Sequence, residues 1–502
     1  MTGTFNIRRL ICMLGFLIIF EGFFMLAASA VELFYIENLK TGFNLLLYGN
    51  KGFSALVISG TVTTVFGAIF YAIGFSSSKR IGIREGYSIV SLVWILFSIF
   101  GMLPLLLSDT VDSITDAFFE SMSGFTTTGS SVIADVESLP HSLLLWRSLT
   151  EWIGGMGIVV LSLAVLPFLG GSMQLFSAEA SGGHAYNKIA PRVKDTARRL
   201  WGMYAILTLI LATMLHFEGM NIFDAVNHAL TTMASGGYST KNTSIGYWNL
   251  PLIHYTITFF MIITGINFTY MYLAIFQRNF SKLLKDEEFK TFIFAIIIAL
   301  TIIFINNALT NSPIATFADL EKNFRESLFQ TASIISTTGF SIDTNVFLSS
   351  FMLILCILLM ISGACSGSTT GGIKMIRVVI IFKNCYYELR RLLHPNAVLP
   401  IKINNRVMQN SVALNVFAFI ILFVVFLLLG IFMLMLNGMS ASEAFFCAIS
   451  SITNNCLSIS NFASDFETAS SVSKWIMATL MLTGRLEIFT IVLLFSPELW
   501  KK

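Results

Sequence analysis

The sequence has few charged residues. Lys, Arg, Asp and Glu make up only 12% of the 502 residues, whereas hydrophobic residues make up 55%. A soluble globular chain carries about 25% charged residues, so this composition excludes an ordinary soluble domain and predicts a polytopic membrane protein. Apolar runs of about 18 residues or more predict membrane-spanning helices. We count ten such runs, near 10–31, 52–75, 86–107, 143–168, 199–217, 252–277, 290–309, 349–382, 411–436 and 472–496.

The sequence also lacks the patterns that mark an enzyme or a structural metal centre. The six cysteines form no C-x-x-C pair, and the six histidines form no H-E-x-x-H or other ligand spacing. No G-x-G-x-x-G lies between a strand and a helix. We therefore expect no enzymatic activity and no cofactor in this chain. An intramembrane enzyme that uses polar residues such as Asp224 or His228 is kept as an alternative.

The basic residues cluster in alternate loops. Of the 31 Lys and Arg residues, 22 lie at the two termini and in the loops near 79–84, 188–199, 278–290 and 377–406. The positive-inside rule therefore places both termini in the cytoplasm, in agreement with an even number of spans. A surface for lipid headgroups or nucleic acid is the alternative explanation. We favour the orientation signal, with membrane lipid around the chain and no nucleic-acid partner.

The first apolar run has two interpretations. Arg8 and Arg9, an apolar stretch and the small residues Ala28-Ser29-Ala30 together resemble a cleavable signal peptide. The stretch continues past Glu21 to about residue 31, which is longer than a usual signal core. We therefore expect a retained span.

Four short segments between these runs share one pattern. Each begins with an acidic residue and has a small residue thirteen positions later, in a turn rich in Thr, Ser, Asn or Gly. The segments are Asp116–Gly129, Asp224–Gly237, Glu326–Gly339 and Glu443–Cys456, and their starts lie 108, 102 and 117 residues apart. Each is too short and too polar to cross a bilayer. We expect re-entrant hairpins, in which a short helix begins at the acid, where the negative charge offsets the helix dipole, and leads into the polar turn.

The predicted fold follows from this repeat. It is an all-α polytopic membrane protein with four pseudo-symmetric span–pore hairpin–span repeats around a central pore, plus two accessory N-terminal helices. The predicted domains are the accessory pair at 1–80 and four pore repeats at 81–180, 181–286, 287–400 and 401–502.

The polar turns have the composition of an ion filter. A cation that leaves water needs replacement oxygens, and rings of backbone carbonyls supply them without full charge. Irregular backbone at membrane depth is tolerated where it lines a cavity, and glycine permits the unusual dihedral angles. The candidate K⁺-binding residues of the filter are Thr127, Thr128, Gly129, Ser235, Gly236, Gly237, Thr337, Thr338, Gly339, Asn454, Asn455 and Cys456.

Several motifs resemble those of the Trk/Ktr/HKT superfamily of potassium transporters, over essentially the whole chain. They are F-T-T-T-G (125–129), A-S-G-G-Y-S-T (234–240), S-T-T-G-F (336–340), G-G-S-M-Q-L-F-S-A-E (170–179), G-A-C-S-G-S-T-T-G-G-I-K (363–374), H-P-N-A-V (394–398) and G-R-L-E-I-F-T (484–490). The resemblance implies a passive or ion-coupled (symport) potassium uptake transporter of the bacterial inner membrane. It also implies a homodimer with one pore per protomer, and a separate cytoplasmic TrkA-like subunit that binds NAD or ATP and contacts the basic loops.

A polar segment, 363–374, interrupts the long run at 349–382. It does not match a phosphate-binding loop, because G-K-[ST] and a preceding strand are missing. A simple helix break in protein-lined surroundings is the alternative. The resemblance implies an intramembrane gate below the filter, formed by Gly363, Gly367, Ser368, Thr369, Gly371, Gly372 and Lys374.

Arg485 lies near the middle of the last run, and an intramembrane charge predicts a functional residue. The resemblance places it in the pore under the filter, as an electrostatic barrier that works with the loop. A buried pair with Glu487 or with a carbonyl is the alternative. We expect Lys374 to reach the cytoplasmic interface or to contact the gate.

The fourth turn departs from the family pattern, which has a glycine-proline-glycine type of turn here. This chain reads Asn454-Asn455-Cys456-Leu457-Ser458. A cysteine is strained if its position requires a positive φ. A sodium or weakly selective alkali-cation transporter is therefore an alternative. A second alternative, independent of this turn, is the ion-conducting subunit of an ATP-driven potassium pump, which is related in architecture.

Overall fold

The chain is almost entirely helical. The computed structural model describes residues 6–35, 51–75, 83–157, 193–310, 316–342, 350–394, 396, 399–408, 410–456, 466 and 468–500. The helices are α1 (Ile7–Ser29), α2 (Lys51–Gly74), α3 (Ile83–Gly101), α4 (Leu103–Leu107), α5 (Ile114–Phe125), α6 (His141–Gly155), α7 (Val193–Phe217), α8 (Ile222–Ala234), α9 (Pro251–Thr264), α10 (Phe268–Phe276), α11 (Phe280–Lys285), α12 (Glu287–Thr310), α13 (Phe317–Ile335), α14 (Ser350–Ser362), α15 (Met375–Leu393), α16 (Asn410–Leu436), α17 (Ala441–Thr453), α18 (Ser471–Arg485), α19 (Phe489–Phe495) and α20 (Pro497–Trp500). Strands β1 (Lys402–Ile403) and β2 (Arg406–Val407) form a small antiparallel hairpin between α15 and α16.

The length and composition of the helices confirm a polytopic membrane protein. Among the described residues, six helical stretches are long and apolar enough to cross a bilayer, and up to eight if each of two bent pairs counts as one span. They include α1, α2, α7, α12 and α16. The all-α prediction is therefore confirmed, with one short hairpin added in the described part of the chain.

The accessory helices α1 and α2 pack through glycines. A Cβ on Gly15 would lie 2.6 Å from the carbonyl oxygen of Gly67, and one on Gly22 would lie 2.8 Å from that of Gly60. Small residues allow this close approach of two helices. Helix α1 ends at Ser29, and a 3-10 helix begins at Ala30; Ala28 and Ser29 are buried. Retention of this span stays a prediction.

Four short helices precede the polar turns, as the repeat predicts. In three of them, α5, α8 and α17, a side chain one turn earlier accepts the backbone N–H of the repeated acid: Ser113 for Asp116, Asn221 for Asp224 and Ser440 for Glu443. The acids therefore stand in the first turn and favour the positive end of the helix dipole.

The third of these helices begins earlier than predicted. Helix α13 starts at Phe317, and Thr316 and Asp319 form a reciprocal capping box there. Glu326 therefore lies inside the helix, so its assignment as the helix start is wrong. The capping box supplies partners for the first backbone N–H groups, which lets the helix extend beyond the repeated unit.

In the described residues, the second span of the last three repeats is interrupted, and that of the first repeat has a helix end at Gly155. Helix α6 ends at Gly155, α9 and α10 meet at 110°, residues 363–374 separate α14 from α15, and α18 and α19 meet at 114°. Only the third interruption was predicted, so the runs 252–277 and 472–496 are not single straight helices. The rest of the run 143–168, from residue 158, lies outside the described residues.

The predicted domain boundaries stay predictions. Residues 80 and 180 lie outside the described residues, whereas 286 and 400 fall in short connections next to α12 and β1.

Candidate functional site

The four polar turns share one backbone geometry. We call α5, α8, α13 and α17 the pore helices. At the C-terminal end of each, one residue has a positive φ, with values of 55° at Thr127, 54° at Ser235, 54° at Thr337 and 52° at Asn454. In the first turn, Thr127 N–H donates to the carbonyl of Gly124 and Thr128 N–H donates to that of Ser123, both at 2.9 Å. The other three turns repeat these two bonds. This is a Schellman-type helix end, in which the chain leaves the helix in an extended direction.

The turns contact one another in cyclic order. A Cβ on Gly129 would overlap the carbonyl oxygen of Gly236, and one on Gly237 would overlap that of Thr338. A Cβ on Gly339 would overlap the carbonyl oxygen of Cys456. The N–H of Cys456 donates to the carbonyl of Thr128 at 2.9 Å, which closes the circle. The four turns therefore surround one centre, although the repeats are separated by about 100 residues in the sequence.

The fourth turn has a cysteine where the other three have glycine, and its backbone conformation differs. Gly129, Gly237 and Gly339 have φ values of 81°, 91° and 81°, but Cys456 is not among the described residues with positive φ. The strain that a cysteine would have in the left-handed region therefore does not arise. Instead, its N–H is engaged by the Thr128 carbonyl, an acceptor in the adjacent turn.

The side chains of the fourth turn also bind the adjacent repeats. Asn454 Nδ2 donates to Thr128 Oγ1 at 3.0 Å and to the Met481 carbonyl at 2.9 Å, and Asn455 Nδ2 donates to the Ile334 carbonyl at 3.0 Å. Sequence reasoning assigned only backbone carbonyls to these asparagines. Leu457 and Ser458 lie outside the described residues.

We call the circle of four turns the ring and the segment Gly363–Lys374 the crossing loop. The crossing loop contacts the ring at the end where the turns leave their helices. Gly371 N–H donates to Thr337 Oγ1 at 2.8 Å, and Ser235 Oγ lies 3.2 Å from Thr369 Oγ1. A Cβ on Gly371 would overlap the Thr453 carbonyl. The loop therefore contacts the second and third turns and the residue preceding the fourth. Its irregular path is possible because glycines 363, 367 and 372 have positive φ values.

The crossing loop is bound to the interruption of the second repeat. Cys365 N–H donates to the Gly265 carbonyl at 3.0 Å, and Asn267 Nδ2 donates to the Ser366 carbonyl at 2.6 Å. Phe268 N–H donates to the Gly367 carbonyl at 3.0 Å. The interruption thus supplies donors and acceptors to the loop, which explains why an irregular backbone is tolerated at membrane depth.

Arg485 connects the crossing loop to the first repeat. One guanidinium nitrogen donates to the Thr369 carbonyl at 2.7 Å, and the other donates to the carbonyls of Gly154 and Gly155 at 2.8 and 3.1 Å. Glu487, which the sequence offered as an ion-pair partner, forms an ion pair with Arg377 at 2.5 Å. Arg485 therefore places a positive charge beside the loop.

The remaining gate candidates lie on the loop itself. Lys374 Nζ donates to the Thr370 carbonyl and lies 3.3 Å from Thr370 Oγ1, so the lysine folds back on the loop. Ser368 Oγ donates to the Cys365 carbonyl at 2.6 Å. Both contacts are internal to the loop and hold its shape.

Sequence reasoning missed a buried charged cluster behind the first two turns. Glu120 and Arg147 form an ion pair at 2.7 Å, with side-chain exposures of only 1% and 3%. The Arg147 guanidinium lies 4.2 Å from the ring centre of Tyr238, which follows the second turn. The Tyr238 N–H lies 3.2 Å from both carboxylate oxygens of Glu151. Charged residues four positions apart in an apolar run, here Arg147 and Glu151, were the available signal.

The connections of the first two repeats join on the same side of the molecule as the turns. Asn242 Nδ2 donates to Asp135 Oδ1 at 2.8 Å, and Asn242 Oδ1 accepts the N–H of Val136 at 2.9 Å. The amide of Asn242 lowers the pKa of the Asp135 carboxyl below its ordinary value. This contact fixes the two repeats relative to each other.

The polar residues of the enzyme alternative have structural partners. Asp224 Oδ1 accepts the Thr240 hydroxyl at 2.6 Å, and Asp224 also belongs to the helix cap with Asn221. His228 Nδ1 lies 2.8 Å from the Asp224 carbonyl, and Nε2 lies 3.0 Å from Ser239 Oγ. These contacts hold the connection that follows the second turn against its pore helix.

Two of the motifs lie partly or wholly outside the described residues. The segment 170–179 lies outside the described residues, and of the segment 394–398 only residues 394 and 396 are described.

Four pore helices, four turns in a closed ring and a loop against that ring define a membrane transport protein of the fourfold-repeat, re-entrant-helix class. Residues 53–502 match the TrkH family, described as a cation transport protein, and the chain belongs to that family. It is 35% identical over 477 residues to the Trk system potassium uptake protein TrkH of Escherichia coli K12, covering 94% of this chain and 97% of that protein.

Two further comparisons agree. The chain is 33% identical over 510 residues to the Trk system potassium uptake protein TrkG of Escherichia coli K12, covering 99% of this chain and all of that protein. The crystal structure of the potassium transporter TrkH from Vibrio parahaemolyticus matches with a TM-score of 0.85 at 31% identity, covering 99% of this chain and 100% of that one. The resemblance inferred from the motifs is confirmed.

Proposed function

We propose that this chain takes up potassium as the membrane subunit of a Trk-type system in the bacterial inner membrane, with both termini in the cytoplasm. The proposal rests on one observation, the closed ring of four turns. In this proposal, backbone carbonyl oxygens of the four turns replace the hydration shell of a dehydrated K⁺ at their common centre. The names of the full-length relatives support potassium as the substrate. The ion is the cargo of the protein, and no cofactor is part of the proposal.

The crossing loop is the proposed gate. It lies against the ring through Thr369 and Gly371, and Arg485 holds it while adding a positive charge beside the path. A fixed positive charge raises the energy of a cation in its vicinity. Opening therefore requires that the loop and the guanidinium separate from the ring or from each other.

The functional unit that we propose is a homodimer with one pore in each protomer. A cytoplasmic TrkA-like subunit that binds a nucleotide regulates it through the basic loops. Transport is either passive or coupled to another ion.

The fourth turn favours a second candidate, a weakly selective alkali-cation transporter. Cys456 N–H engages one lone pair of the Thr128 carbonyl, and Ser450 Oγ engages one of the Asn455 carbonyl. A ring with unequal oxygens is a poorer replacement for the potassium hydration shell. Sodium then competes better for the same path.

Ion flux into proteoliposomes tests these proposals. The purified full-length chain should accumulate ⁸⁶Rb⁺ without ATP, and an outward potassium gradient should drive that uptake. Absence of uptake by correctly folded protein, or a strict need for ATP, would reject autonomous transport and point to the pump-subunit alternative. Competition by Na⁺ against ⁸⁶Rb⁺ separates the potassium-selective from the weakly selective candidate.

A cellular experiment tests the direction of transport. Expression in a bacterium that lacks its potassium uptake systems should restore growth at low external potassium. An Asp224→Asn variant should retain this rescue at a reduced level, because the carboxylate supports the helix cap. Complete loss of rescue with normal expression would favour the enzyme alternative.

A further inference from the structure

Glu288, in the first turn of α12, binds both ends of the crossing loop. Its carboxylate accepts the Ser366 N–H at 2.5 Å and the Ser366 hydroxyl at 2.8 Å. It also accepts the Ile376 N–H at 3.1 Å. Ser366 lies near the start of the loop, and Ile376 lies two residues after its end. One carboxylate thus fixes the distance between the two ends.

The hydrogen bonds of Glu288 are shielded from water. Glu288 is only 4% exposed, so water competes little for its oxygens. The crossing loop therefore keeps its place as long as the first turn of α12 keeps its own.

The two preceding acids bind a different element, the hairpin of β1 and β2. Asn404 at the hairpin tip donates through Nδ2 to Asp286 Oδ1 at 2.6 Å and accepts the Glu287 N–H through Oδ1 at 2.8 Å. Lys383 Nζ contacts Glu287 Oε2 at 2.6 Å and the Lys402 carbonyl at 2.8 Å. The tip has a defined shape because Asn404 and Asn405 both have positive φ.

One contact of the hairpin, the Lys383–Glu287 ion pair, is more accessible than the contacts of the loop, whereas Asp286, the partner of Asn404, is only 5% exposed. The Lys383 and Glu287 side chains are 31% and 32% exposed, so solvent screens this ion pair. The hairpin is also small, with only two residues in each strand.

We propose that Glu288 is the positioning residue of the crossing loop and that Asn404, at the hairpin tip, sets the position of Glu288. The hairpin stands on the expected cytoplasmic side, and its movement shifts the first turn of α12 and with it the two ends of the loop. This inference rests on the proposed gating function of the loop. It adds a route by which movement of the hairpin at the protein surface changes the position of the gate.

The test measures ⁸⁶Rb⁺ uptake by the reconstituted full-length chain. Glu288→Gln keeps the side-chain length but replaces the charge and one acceptor oxygen, so basal uptake should rise several-fold. Ser366→Ala removes one of the three bonds and should cause a smaller rise. Asn404→Ala should also raise uptake, and the double variant Asn404→Ala/Glu288→Gln should not exceed Glu288→Gln. Glu388→Gln, an exposed change on α15, is the matched control and should leave uptake unchanged.

The outcomes separate this inference from the gate itself. If Arg485→Gln raises uptake but Glu288→Gln and Ser366→Ala do not, the loop is a gate and the inference about Glu288 is wrong. If the effects of Asn404→Ala and Glu288→Gln multiply, the hairpin acts independently and the proposed route is wrong. If none of the variants alters the uptake of a conducting wild type, the gating proposal fails. A wild type that moves no alkali cation rejects the proposed function instead.

Discussion

At the scale of single residues, the filter glycines satisfy two separate requirements. Gly129 has a φ of 81°, and its missing Cβ also leaves room for the Gly236 carbonyl. Gly438 has a φ of 90° but no atom within 4 Å of a Cβ position. A positive φ costs a non-glycine residue about 1–2 kcal/mol. The two glycines therefore allow the dihedral requirement to be separated from the packing requirement.

We predict different effects for alanine at these two positions. Gly438→Ala should lower the free energy of unfolding by about 1–2 kcal/mol, the dihedral cost alone, and leave Rb⁺ transport intact. Gly129→Ala should cause a larger loss of stability and abolish transport, because the methyl group overlaps a carbonyl of the ring. Thermal unfolding in detergent and Rb⁺ flux measure the two effects. Equal behaviour of the variants would contradict the packing requirement.

Cys456→Gly should make the ring more uniform. A glycine can adopt the positive φ of its three equivalents and release the Thr128 carbonyl from the bond with the residue-456 N–H. We expect Na⁺ to compete less well against ⁸⁶Rb⁺ in this variant than in the wild type. Cys12→Ala, a buried cysteine change in α1, is the control and should not alter the competition.

An unchanged competition in Cys456→Gly would mean that the fourth turn does not weaken selectivity. Rescue of a potassium-uptake-deficient bacterium gives an independent readout. If only the glycine variant rescues growth, the cysteine has changed the transported ion. If neither does, with good expression, potassium uptake is the wrong assignment.

The sequence predicted where the turns are but not how the fourth one closes. Composition and spacing located all four turns, because each needs polar residues and small side chains at one place. The φ of Cys456 depends on an acceptor in the first repeat, Thr128, and no local pattern contains that contact.

At the scale of structural elements, the buried pair of Glu120 and Arg147 joins α5 to α6. Both side chains are nearly inaccessible, so a single truncation leaves one uncompensated charge. Breaking such a pair costs about 3–5 kcal/mol. We predict a loss of this size for Arg147→Met and for Glu120→Gln, measured by denaturant or thermal unfolding in detergent.

The double variant Glu120→Gln/Arg147→Met should be more stable than the sum of the single effects predicts, because neither member of the pair then remains without its partner. Lys51→Met, which removes an exposed ion pair with Asp109, is the control and should change stability little. Additive single effects would show that the two side chains act independently.

Interruptions of helices were the least predictable elements. The Gly, Ser and Thr residues of segment 363–374 predicted a helix break, whereas 252–277 and 472–496 are continuous apolar runs in the sequence. Their bends follow tertiary contacts, such as Asn267 with Ser366 and Arg485 with Thr369. Hydropathy measures the tendency to enter a membrane and carries no information about those partners.

At the scale of the whole molecule, the accessory helices α1 and α2 are joined to each other by close approach of their backbones. A Cβ on Gly67 would lie 2.8 Å from the Gly15 carbonyl, whereas one on Gly202 in α7 would meet no atom within 4 Å. We predict that Gly67→Leu lowers the thermal stability of the detergent-solubilised protein, since it separates α1 from α2. The selectivity of the molecules that remain folded should be unchanged.

Gly202→Leu is the control and should leave the unfolding temperature close to that of the wild type. A Gly67→Leu protein as stable as the wild type would show that close helix approach is unnecessary. Altered selectivity would show that the accessory pair influences the ring.

The global arrangement was predictable because it repeats. Four similar segments at nearly regular spacing, with basic loops between them, indicated quasi-equivalent units around an axis. The crossing loop and its anchors occur once, so no internal comparison could reveal them.

The order of contacts around the ring also bears on how such a protein diverges. In a channel assembled from four copies of one polypeptide, a codon change at the residue-456 position would alter all four quarters together. Here the quarters are encoded in tandem, so a single substitution can change one seam while the other three keep glycine. A ring of this kind can therefore vary one quarter at a time.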